Sequence, residues 1–394
     1  MRFLRTALTS ISLILTILLN GQNSGLTLTS TSLTSVDIKE SAIDPNGFVY
    51  SIGKHVPSTG PDQIMISKST PNGTLIWEKI VADSGFRQYP SGVAVNADGI
   101  YICGNEFAQV GPEKHAIIIR LNTDGDFLWQ REIDSTKFAS TGDITISSAG
   151  GCVAVGSTIQ SGNYVGLIVN LDSLGNTLWT NIMECSGLSA FGFSGVVLDQ
   201  TNNIFVTGVN GYSLGAWIST VHKFDFNGNI QWSRSYSDTI TSFLFQSPVI
   251  SNNTLFITGS FKSMNTATPS MLLGKFDLNG NCLSLNCHAN SNDLFSAISL
   301  IVTNVNTLVA TGYTGTIFNH NGFVCEYDLN LSFIRGIETD NWDEITNFQM
   351  SNNNSCVVSG WSQTNISQFH KGYTNYAWNL GCGFVSLWNC KKKV

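Results

Sequence analysis

One short phrase recurs seven times along the chain: a run of apolar and β-branched residues that ends in glycine. Typical copies are 100–104 and 204–208, which read I-Y-I-C-G and I-F-V-T-G. The closing glycines stand 48 to 53 residues apart, at Gly53, Gly104, Gly156, Gly208, Gly259, Gly312 and Gly360. A period of this length is typical of propellers and repeat arrays, whose units stack to bury a shared core.

A second phrase follows the glycine runs: an apolar strand, a tight turn that contains glycine, and a strand that carries tryptophan. The copies are 71–73 before Trp77, 123–125 before Trp129, 173–175 before Trp179, and 226–228 before Trp232. Asn-Gly and Asp-Gly turns permit positive φ at both central positions, so these segments are predicted to be β-hairpins. The fifth copy has Ser284 in place of tryptophan, and the sixth has Arg335 there and has also lost its glycine.

Each period therefore holds four short strands, A to D, of which B is the glycine run and D carries tryptophan. Four antiparallel strands in about 50 residues are the signature of a β-propeller blade, as in WD-type repeats. We predict an all-β fold in which residues 25–394 form a single seven-bladed β-propeller of four-stranded antiparallel blades. The predicted blades are 35–81, 87–133, 141–183, 193–236, 245–287, 295–338, and 345–390 together with 26–34.

The seventh copy is incomplete, because only one strand, 383–388, follows its long loop before the charged C-terminal residues. Residues 26–34 alternate apolar and polar side chains, as a half-buried strand does. We expect this N-terminal segment to pair with 383–388 as the outer strand of the last blade. The pairing would close the ring and remove an open sheet edge.

The N-terminus has the pattern of a secretory signal peptide. Arg2 and Arg5 precede a largely apolar run, 7–19, and small polar residues follow it. The alternative is a membrane anchor, but that run is shorter than the roughly 20 apolar residues that a spanning helix needs. We expect residues 1–24 to be removed and the mature chain to be secreted, or periplasmic or cell-surface in a bacterium, without a membrane span.

Composition excludes some classes of partner and cofactor. The net charge is −7, with 20 Lys+Arg against 27 Asp+Glu, and no basic stripe is visible for a nucleic acid. The histidines show no metal-ligand spacing, so no metal and no cofactor are predicted. The 9 cysteines are irregularly spaced and interpreted as mostly buried thiols, with Cys282/Cys287 and Cys382/Cys390 as the local pairs to test for disulfides.

With these repeats in view, the sequence resembles secreted seven-bladed β-propeller repeat proteins whose unit ends in D-G-N-x-x-W. More distantly it resembles the quinoprotein-like propellers. The likeness covers residues 34–390 and implies a binding or surface module. It also implies a structural role for Trp77, Trp129, Trp179 and Trp232, which would dock each blade onto its neighbour.

Propeller enzymes are the alternative class. Sialidase-like Asp boxes place an aromatic residue three positions after the glycine, whereas Trp129 stands four after Gly125. Many quinone-dependent dehydrogenases have an adjacent Cys-Cys pair, which this chain lacks. For a carbohydrate-active or quinone-dependent enzyme with its site in the central channel, Asp62, Glu106 and Glu113 are the first acids to test.

The leading hypothesis is a non-enzymatic module that binds an extracellular protein or carbohydrate through the face built from the B–C and D–A loops. We call this side of the molecule the loop face. Its aromatic and histidine candidates are Trp217, Trp361, His370, Tyr373, Tyr376 and Trp378. An alternative role for such aromatic residues is to fill the centre of the ring. The glycosylation candidates, if the host is eukaryotic, are Asn72, Asn252, Asn330, Asn353 and Asn365.

Overall fold

A computed structural model describes most of the chain. The described residues are 14–17, 26–29, 35–57, 59–71, 74–81, 86–108, 113–133, 139–184, 190–211, 217–236, 241–263, 269–288, 294–303, 305–316, 319–339, 344–350 and 356–361. Within these ranges no helix is long and apolar enough to cross a membrane.

From residue 35 onward, the described part of the chain forms β-strands in the order that the repeat predicts, and Ile14–Ile17 is a strand that the sequence does not predict. The first fourteen are β1 (Ile14–Ile17), β2 (Leu26–Thr29), β3 (Ser35–Ile43), β4 (Val49–Val56), β5 (Gln63–Ser69), β6 (Leu75–Val81), β7 (Phe86–Asn96), β8 (Gly99–Ala108), β9 (Lys114–Leu121), β10 (Phe127–Glu132), β11 (Ser140–Ile146), β12 (Cys152–Gln160), β13 (Asn163–Leu171) and β14 (Thr177–Met183). The others are β15 (Ala190–Leu198), β16 (Ile204–Gly211), β17 (Trp217–Phe224), β18 (Ile230–Tyr236), β19 (Thr241–Ser251), β20 (Thr254–Ser263), β21 (Ser270–Asp277), β22 (Cys282–His288), β23 (Leu294–Val302), β24 (Thr307–Thr316), β25 (Asn319–Asp328), β26 (Phe333–Thr339), β27 (Glu344–Met350) and β28 (Cys356–Trp361).

Consecutive strands form four-stranded antiparallel meanders, which we number as repeats. The repeats are β3–β6, β7–β10, β11–β14, β15–β18, β19–β22 and β23–β26, from the first to the sixth. The last sheet has the order β2-β1-β28-β27. The inner strands β3, β7, β11, β15, β19, β23 and β27 contact one another in sequence, and β27 returns to contact β3. The prediction of a propeller built from four-stranded antiparallel blades is therefore confirmed.

The prediction of seven blades is not matched by the hydrogen bonding, because the described strands form six hydrogen-bonded sheets. The third and fourth repeats share one eight-stranded sheet. They are joined by a single parallel pair between β13 and β15, Tyr164 with Ala190. Two neighbouring sheets that approach closely at one strand end can exchange such a bond, and a sequence period carries no record of it.

The closing glycines have a steric cause. Each one pairs with an inner-strand residue directly before an irregularity in the ladder: Gly53 with Ile38, Gly104 with Pro90, Gly156 with Thr141, Gly208 with Phe193, Gly259 with Phe245, Gly312 with Ala297, and Gly360 with Ile345. A Cβ on Gly104 would lie 2.6 Å from the carbonyl oxygen of Tyr89. A bulge bends the strand that carries it, so glycine admits the close backbone approach that this bend creates.

The hydrophobic core is divided into layers between successive repeats. Tyr50 and Ile52 of the first repeat pack with Ile102 and Ile119 of the second. Later layers are similar: Phe191 and Phe193 belong to the layer between the third and fourth repeats. Alternate residues of a strand point to opposite faces, so each central strand contributes to two layers. This explains why the glycine runs are mostly apolar, on both faces of the strand.

The N-terminal strands complete the last sheet. β2 lies at its outer edge, bonded to β1, and β1 pairs with β28 through Leu15 and Val358. The predicted partner of residues 26–34, the segment 383–388, lies outside the described residues. β1 itself lies within the run that the sequence assigns to a signal peptide.

The suggested bond between Cys282 and Cys287 does not form, because both residues lie on β22. Five residues of extended strand span about 16 Å, whereas a disulfide needs Cα atoms within about 7 Å. Cys103, Cys152 and Cys325 are buried without a disulfide. The pair Cys382/Cys390 lies outside the described residues.

Candidate functional site

The four repeat tryptophans lie against the turn of the following repeat, on the side opposite the loop face. A Cβ added to Gly125 would lie 2.7 Å from the ring of Trp77, and one added to Gly228 would lie 2.8 Å from that of Trp179. Three of the four indole nitrogens also donate hydrogen bonds to turn carbonyls: Trp129 to Ser173 (3.2 Å), Trp179 to Phe226 (2.9 Å) and Trp232 to Leu278 (3.1 Å). The indole nitrogen of Trp77 is buried without a partner among the described residues. These contacts join successive repeats and leave no room for a ligand on the glycine.

A second set of contacts between successive repeats was not predicted from the sequence. Beside the tryptophans, a cation near the end of the C strand reaches the same turn of the next repeat. Lys68 donates to the Thr123 carbonyl (3.0 Å), Arg120 to that of Ser173, and Lys275 to that of Leu329 (2.8 Å). The cation also lies over an aromatic ring of its own B strand, as Lys68 does over Tyr50 at 5.1 Å. These contacts could have been predicted from the recurrence of a basic residue at the same position of the C strand.

The acidic turns that superficially resemble calcium loops are occupied by their own amides. In the turn after β17, Asp225 Oδ1 accepts from the backbone of Asn227 (3.0 Å) and Asn229 (2.9 Å), and Oδ2 accepts from Asn229 Nδ2 (2.9 Å). These hydrogen bonds, led by that from the Asn229 side chain, lower the pKa of Asp225. Asp277 has the same arrangement. Across the described ranges, no group of three His, Cys, Asp or Glu side chains could hold a metal ion.

The glycosylation candidates within the described ranges lie in exposed turns. Asn252 is exposed at a backbone φ of 49°, and Asn330 lies in the turn capped by Asp328. Both turns are opposite the loop face. Asn72, Asn353 and Asn365 lie outside the described residues.

Two aromatic side chains are exposed at strand ends on the loop face. Trp217, the first residue of β17, is 45% exposed, and Tyr164, near the start of β13, is 49% exposed. Trp361 is the last residue of β28 and pairs with Glu344. The other four loop-face candidates, His370, Tyr373, Tyr376 and Trp378, lie outside the described residues.

The second repeat holds a compact polar group near the loop face, which we call the Glu106 cluster (Gln88, Glu106 and Gln130). Glu106 Oε1 accepts hydrogen bonds from Gln88 Nε2 (2.5 Å) and Gln130 Nε2 (2.8 Å). Gln88 is 1% exposed and Glu106 is 6% exposed. Of the three acids that the sequence offers for an enzyme, only Glu106 is deeply buried, and its oxygen is bound to amides rather than to another acid.

Charged and aromatic side chains lie on the residues that neighbour Gln88 and Glu106 in their strands, Tyr89 and Phe107, which alternate to the other face of the sheet. Tyr89 donates to Asp62 Oδ2 (2.7 Å), and its ring lies 5.3 Å from that of Phe107. Lys54 lies over the Tyr89 ring at 5.8 Å, and Lys114 lies over Phe107 at 5.3 Å. Together these side chains comprise two cations (Lys54 and Lys114), one carboxylate (Asp62) and two aromatic rings (Tyr89 and Phe107).

A histidine next to the Glu106 cluster lies near Glu113, the third of these acids. His115, which pairs with Glu106 across β8 and β9, contacts Glu132 through Nδ1 (2.6 Å). Its Nε2 lies 3.9 Å from Glu113 Oε2. Asp62, Glu106 and Glu113 thus gather at the first two repeats, but on separate partners.

Two further carboxyl groups, of Glu40 and Asp143, lie on inner strands, and the sequence analysis did not predict a role for them. Glu40 accepts a hydrogen bond from the Val93 backbone (2.9 Å), and Asp143 accepts one from Val196 (2.9 Å), so each joins its repeat to the next. Burial raises the pKa of Glu40, and the charge of Asp143 raises it further. Burial also raises the pKa of Asp143. Both residues follow a bulge, and the bulge turns them toward the neighbouring inner strand.

The layer between the third and fourth repeats contains a row of unsatisfied polar atoms. His222 Nδ1 contacts Ser233 Oγ (2.8 Å), whereas its Nε2 has no hydrogen-bond partner among the described residues. The same is true of Thr220 Oγ1 and of both side-chain polar atoms of Asn210. The rings of Phe191 and Phe193 lie 6.0 and 5.4 Å from the His222 ring. Burial lowers the pKa of His222 to about 4.

Comparisons with known proteins support the fold class. No family model matches the sequence, and no curated protein matches it significantly. Among solved structures, puromycin hydrolase is 12% identical with a TM-score of 0.51, over 90% of this chain and 58% of the hydrolase. An α-L-arabinanase from Penicillium chrysogenum, complexed with arabinobiose, is 10% identical with a TM-score of 0.46, over 90% of this chain and 99% of the arabinanase. At 12% identity the likeness to puromycin hydrolase indicates a shared fold and nothing further.

Proposed function

We propose that this chain is a secreted or cell-surface, non-enzymatic propeller that binds an extracellular protein or carbohydrate through its loop face. The observation that carries the proposal is the pair of half-exposed aromatic side chains, Tyr164 and Trp217, held at strand ends of a closed ring of sheets. Rigid aromatic side chains offer a large contact area at low entropic cost, and strands position them more firmly than loops do.

The ring in this proposal has seven blades, with the eight-stranded sheet counted as two. Seven inner strands in cyclic contact and seven glycine–bulge pairs support that count. Secretion would remove β1 together with the signal peptide and would leave a gap between β28 and β2. The segment 383–388, which aligns with the C strands, would fill this gap in the mature protein.

Capture from the extracellular medium tests the binding function. The mature protein should retain a partner, and deletion of 362–381 should abolish capture with little change in the melting temperature. Tyr164→Ala and Trp217→Ala should each weaken capture severalfold, because exposed aromatic anchors dominate many interfaces. Leu174→Ala is the matched control, since Leu174 is 68% exposed in a turn on the opposite side. Undiminished capture by the deletion and by both aromatic variants would place the binding surface elsewhere.

The alternative is an enzyme with its site near the central channel. Glu40 and Asp143 favour it, since buried carboxyls with raised pKa values occur in many acid–base sites. Against it, each carboxyl accepts a backbone hydrogen bond that joins two repeats, which is a structural use. A screen of glycosides and quinone-dependent oxidations should give no turnover. Turnover that is lost in Glu40→Gln or Asp143→Asn would reverse this conclusion.

A further inference from the structure

Side chains at three positions of each of the first five repeats bind the C–D turn of the following repeat. These turn-binding positions are the C-strand residue that pairs with the tryptophan position, the tryptophan position itself, and the D-strand residue two places beyond it. From the first to the fifth repeat they are Lys68, Trp77 and Lys79; Arg120, Trp129 and Arg131; Asn170, Trp179 and Asn181; Lys223, Trp232 and Arg234; and Lys275, Ser284 and Asn286. In each repeat at least one of the three donates to a turn carbonyl, as Asn181 does to Gly228 (2.5 Å) and Asn286 to Leu331 (2.6 Å).

Opposite charges accompany these contacts. The C-strand position holds Lys or Arg in every repeat from the first to the fifth except the third, which has Asn170. Each bound turn contains aspartate and no basic residue; these turns are 122–126, 172–176, 225–229, 277–281 and 328–332. In the first repeat the charges meet directly, since Lys79 Nζ lies 2.8 Å from Asp126 Oδ1. The turn-binding positions therefore match the turn that they bind in charge as well as in hydrogen bonding.

The sixth repeat reverses the charge at the C-strand position. Glu326 stands there, and it pairs with Arg335 at the tryptophan position. Glu326 Oε1 accepts from Thr307 Oγ1 (2.6 Å), and its Oε2 accepts from Arg335 Nε (2.5 Å). A carboxylate has about four acceptor positions, so these two bonds leave room for a further donor. An acidic turn of the kind that the other repeats bind would be repelled by Glu326, whereas a basic turn would be attracted.

The next turn around the ring follows the predicted C strand of the seventh repeat. That strand, 383–388, reads G-F-V-S-L-W, and 322–327 of the sixth repeat reads G-F-V-C-E-Y. On this alignment the segment 389–393 takes the place of the turn 328–332. It reads N-C-K-K-K, and no other C–D turn of the sequence contains lysine. The turn is thus basic at the one repeat where the facing C-strand residue is acidic.

The connection between β1 and β2, residues 18–25, is the other segment that could lie at this position. It reads L-L-N-G-Q-N-S-G and has no charged side chain, so it offers no cation to Glu326. Charge complementarity therefore favours 389–393 as the occupant.

We propose that the segment 389–393 binds the turn-binding positions of the sixth repeat, with a lysine ammonium group donating to Glu326 and Arg335 donating to a turn carbonyl. The proposal rests on the seven-bladed ring of the proposed function and adds the contact that joins the last repeat to the sixth. A lysine–carboxylate hydrogen bond is charge-assisted and stronger than a neutral one. Since Glu326 is only 5% exposed, that bond is also poorly screened by solvent.

An exchange of charges in the full chain tests this proposal. Glu326→Lys, and separately the substitution of all three lysines 391–393 by Glu, should each lower the melting temperature by at least about 2 °C. The protein with both changes should regain at least half of the summed loss, because it has the charge arrangement of the other repeats. Lys275→Glu is the matched control, since Lys275 holds the same C-strand position one repeat earlier and binds a different turn. Its loss should add to that of the lysine substitutions, and equally additive losses with Glu326→Lys would overturn the proposal.

Lysine acetylation of the unmodified protein, followed by mass spectrometry, gives a second test if Glu326→Lys does not fold. At least one lysine of 391–393 should react severalfold more slowly than Lys262, which is exposed on β20. Glu326→Gln should remove most of this protection, and so should raised salt. Equal reactivity of all these lysines with Lys262 would overturn the proposal. Capture of a partner through Tyr164 and Trp217 is measured separately, so the proposed binding function stands or falls independently of this contact.

Discussion

His222 should make the free energy of unfolding depend on pH, and the substitution His222→Gln should remove this contribution. Its ring lies among Phe191, Phe193 and Phe224, with Ser233 Oγ on Nδ1 and, within the described part of the chain, no partner on Nε2. Burial lowers the pKa of His222 from 6.5 to about 4. The unfolded chain therefore binds a proton between these two values while the folded chain does not.

The size of the change in the free energy of unfolding with pH follows from proton linkage. A group with a depressed folded pKa contributes its full stability above the unfolded value and loses it as the pH falls toward the folded value. At about 1.4 kcal/mol per pKa unit, the change from pH 7.5 to pH 4 is on the order of 3 kcal/mol. Glu40 and Asp143 act in the opposite direction, because burial raises their pKa values.

A comparison with His222→Gln isolates the histidine from these carboxyls. Glutamine keeps a hydrogen-bonding group for Ser233 but does not titrate. Free energies of unfolding, measured by urea at pH 7.5, 6.5, 5.5 and 4.5, should show the difference between the two proteins shrinking by roughly 2–3 kcal/mol as the pH falls. A difference that stays constant across this range would refute the assignment of a buried neutral histidine.

Three further predictions concern the contacts that join the repeats. Gly156→Ala should destabilise the protein by about 2 kcal/mol or more in urea unfolding, because its Cβ would overlap the Ser140 carbonyl oxygen; Gly162→Asn, where a Cβ meets open space and asparagine tolerates positive φ, should change stability much less. Equal effects of the two would contradict the steric role of the closing glycines. Trp129→Phe, which loses the hydrogen bond to Ser173, should lower the free energy of unfolding by about 1 kcal/mol; an unchanged midpoint would mean that ring packing alone matters. Glu40→Gln should gain stability relative to the unmodified protein as the pH rises above 4.5, since the raised pKa of Glu40 means that burial disfavours the carboxylate. A gain on acidification instead would show that Glu40 is ionised in the fold.

The local features of the fold could be predicted from the sequence because each depends on neighbours along the chain. Alternation, Asn-Gly turns and glycine runs specify strands and hairpins within a single period, and repetition of the period specifies a propeller. The turn after β17 illustrates this, since Asp225 and Asn229 make the same contacts as their counterparts at 277 and 281. The position of Trp129 against the next turn could be anticipated only from the resemblance to known repeats.

Only the tertiary structure decided which side chains meet between repeats. Lys68 and Thr123 lie 55 residues apart, and Gln88 and Gln130 reach one oxygen of Glu106 from different strands. The eight-stranded sheet depends on one backbone pair, Tyr164 with Ala190. Such contacts depend on how far each sheet twists and how its inner strand bends at the bulge. These quantities are set by packing across the layers between repeats, and no single period of the sequence contains them.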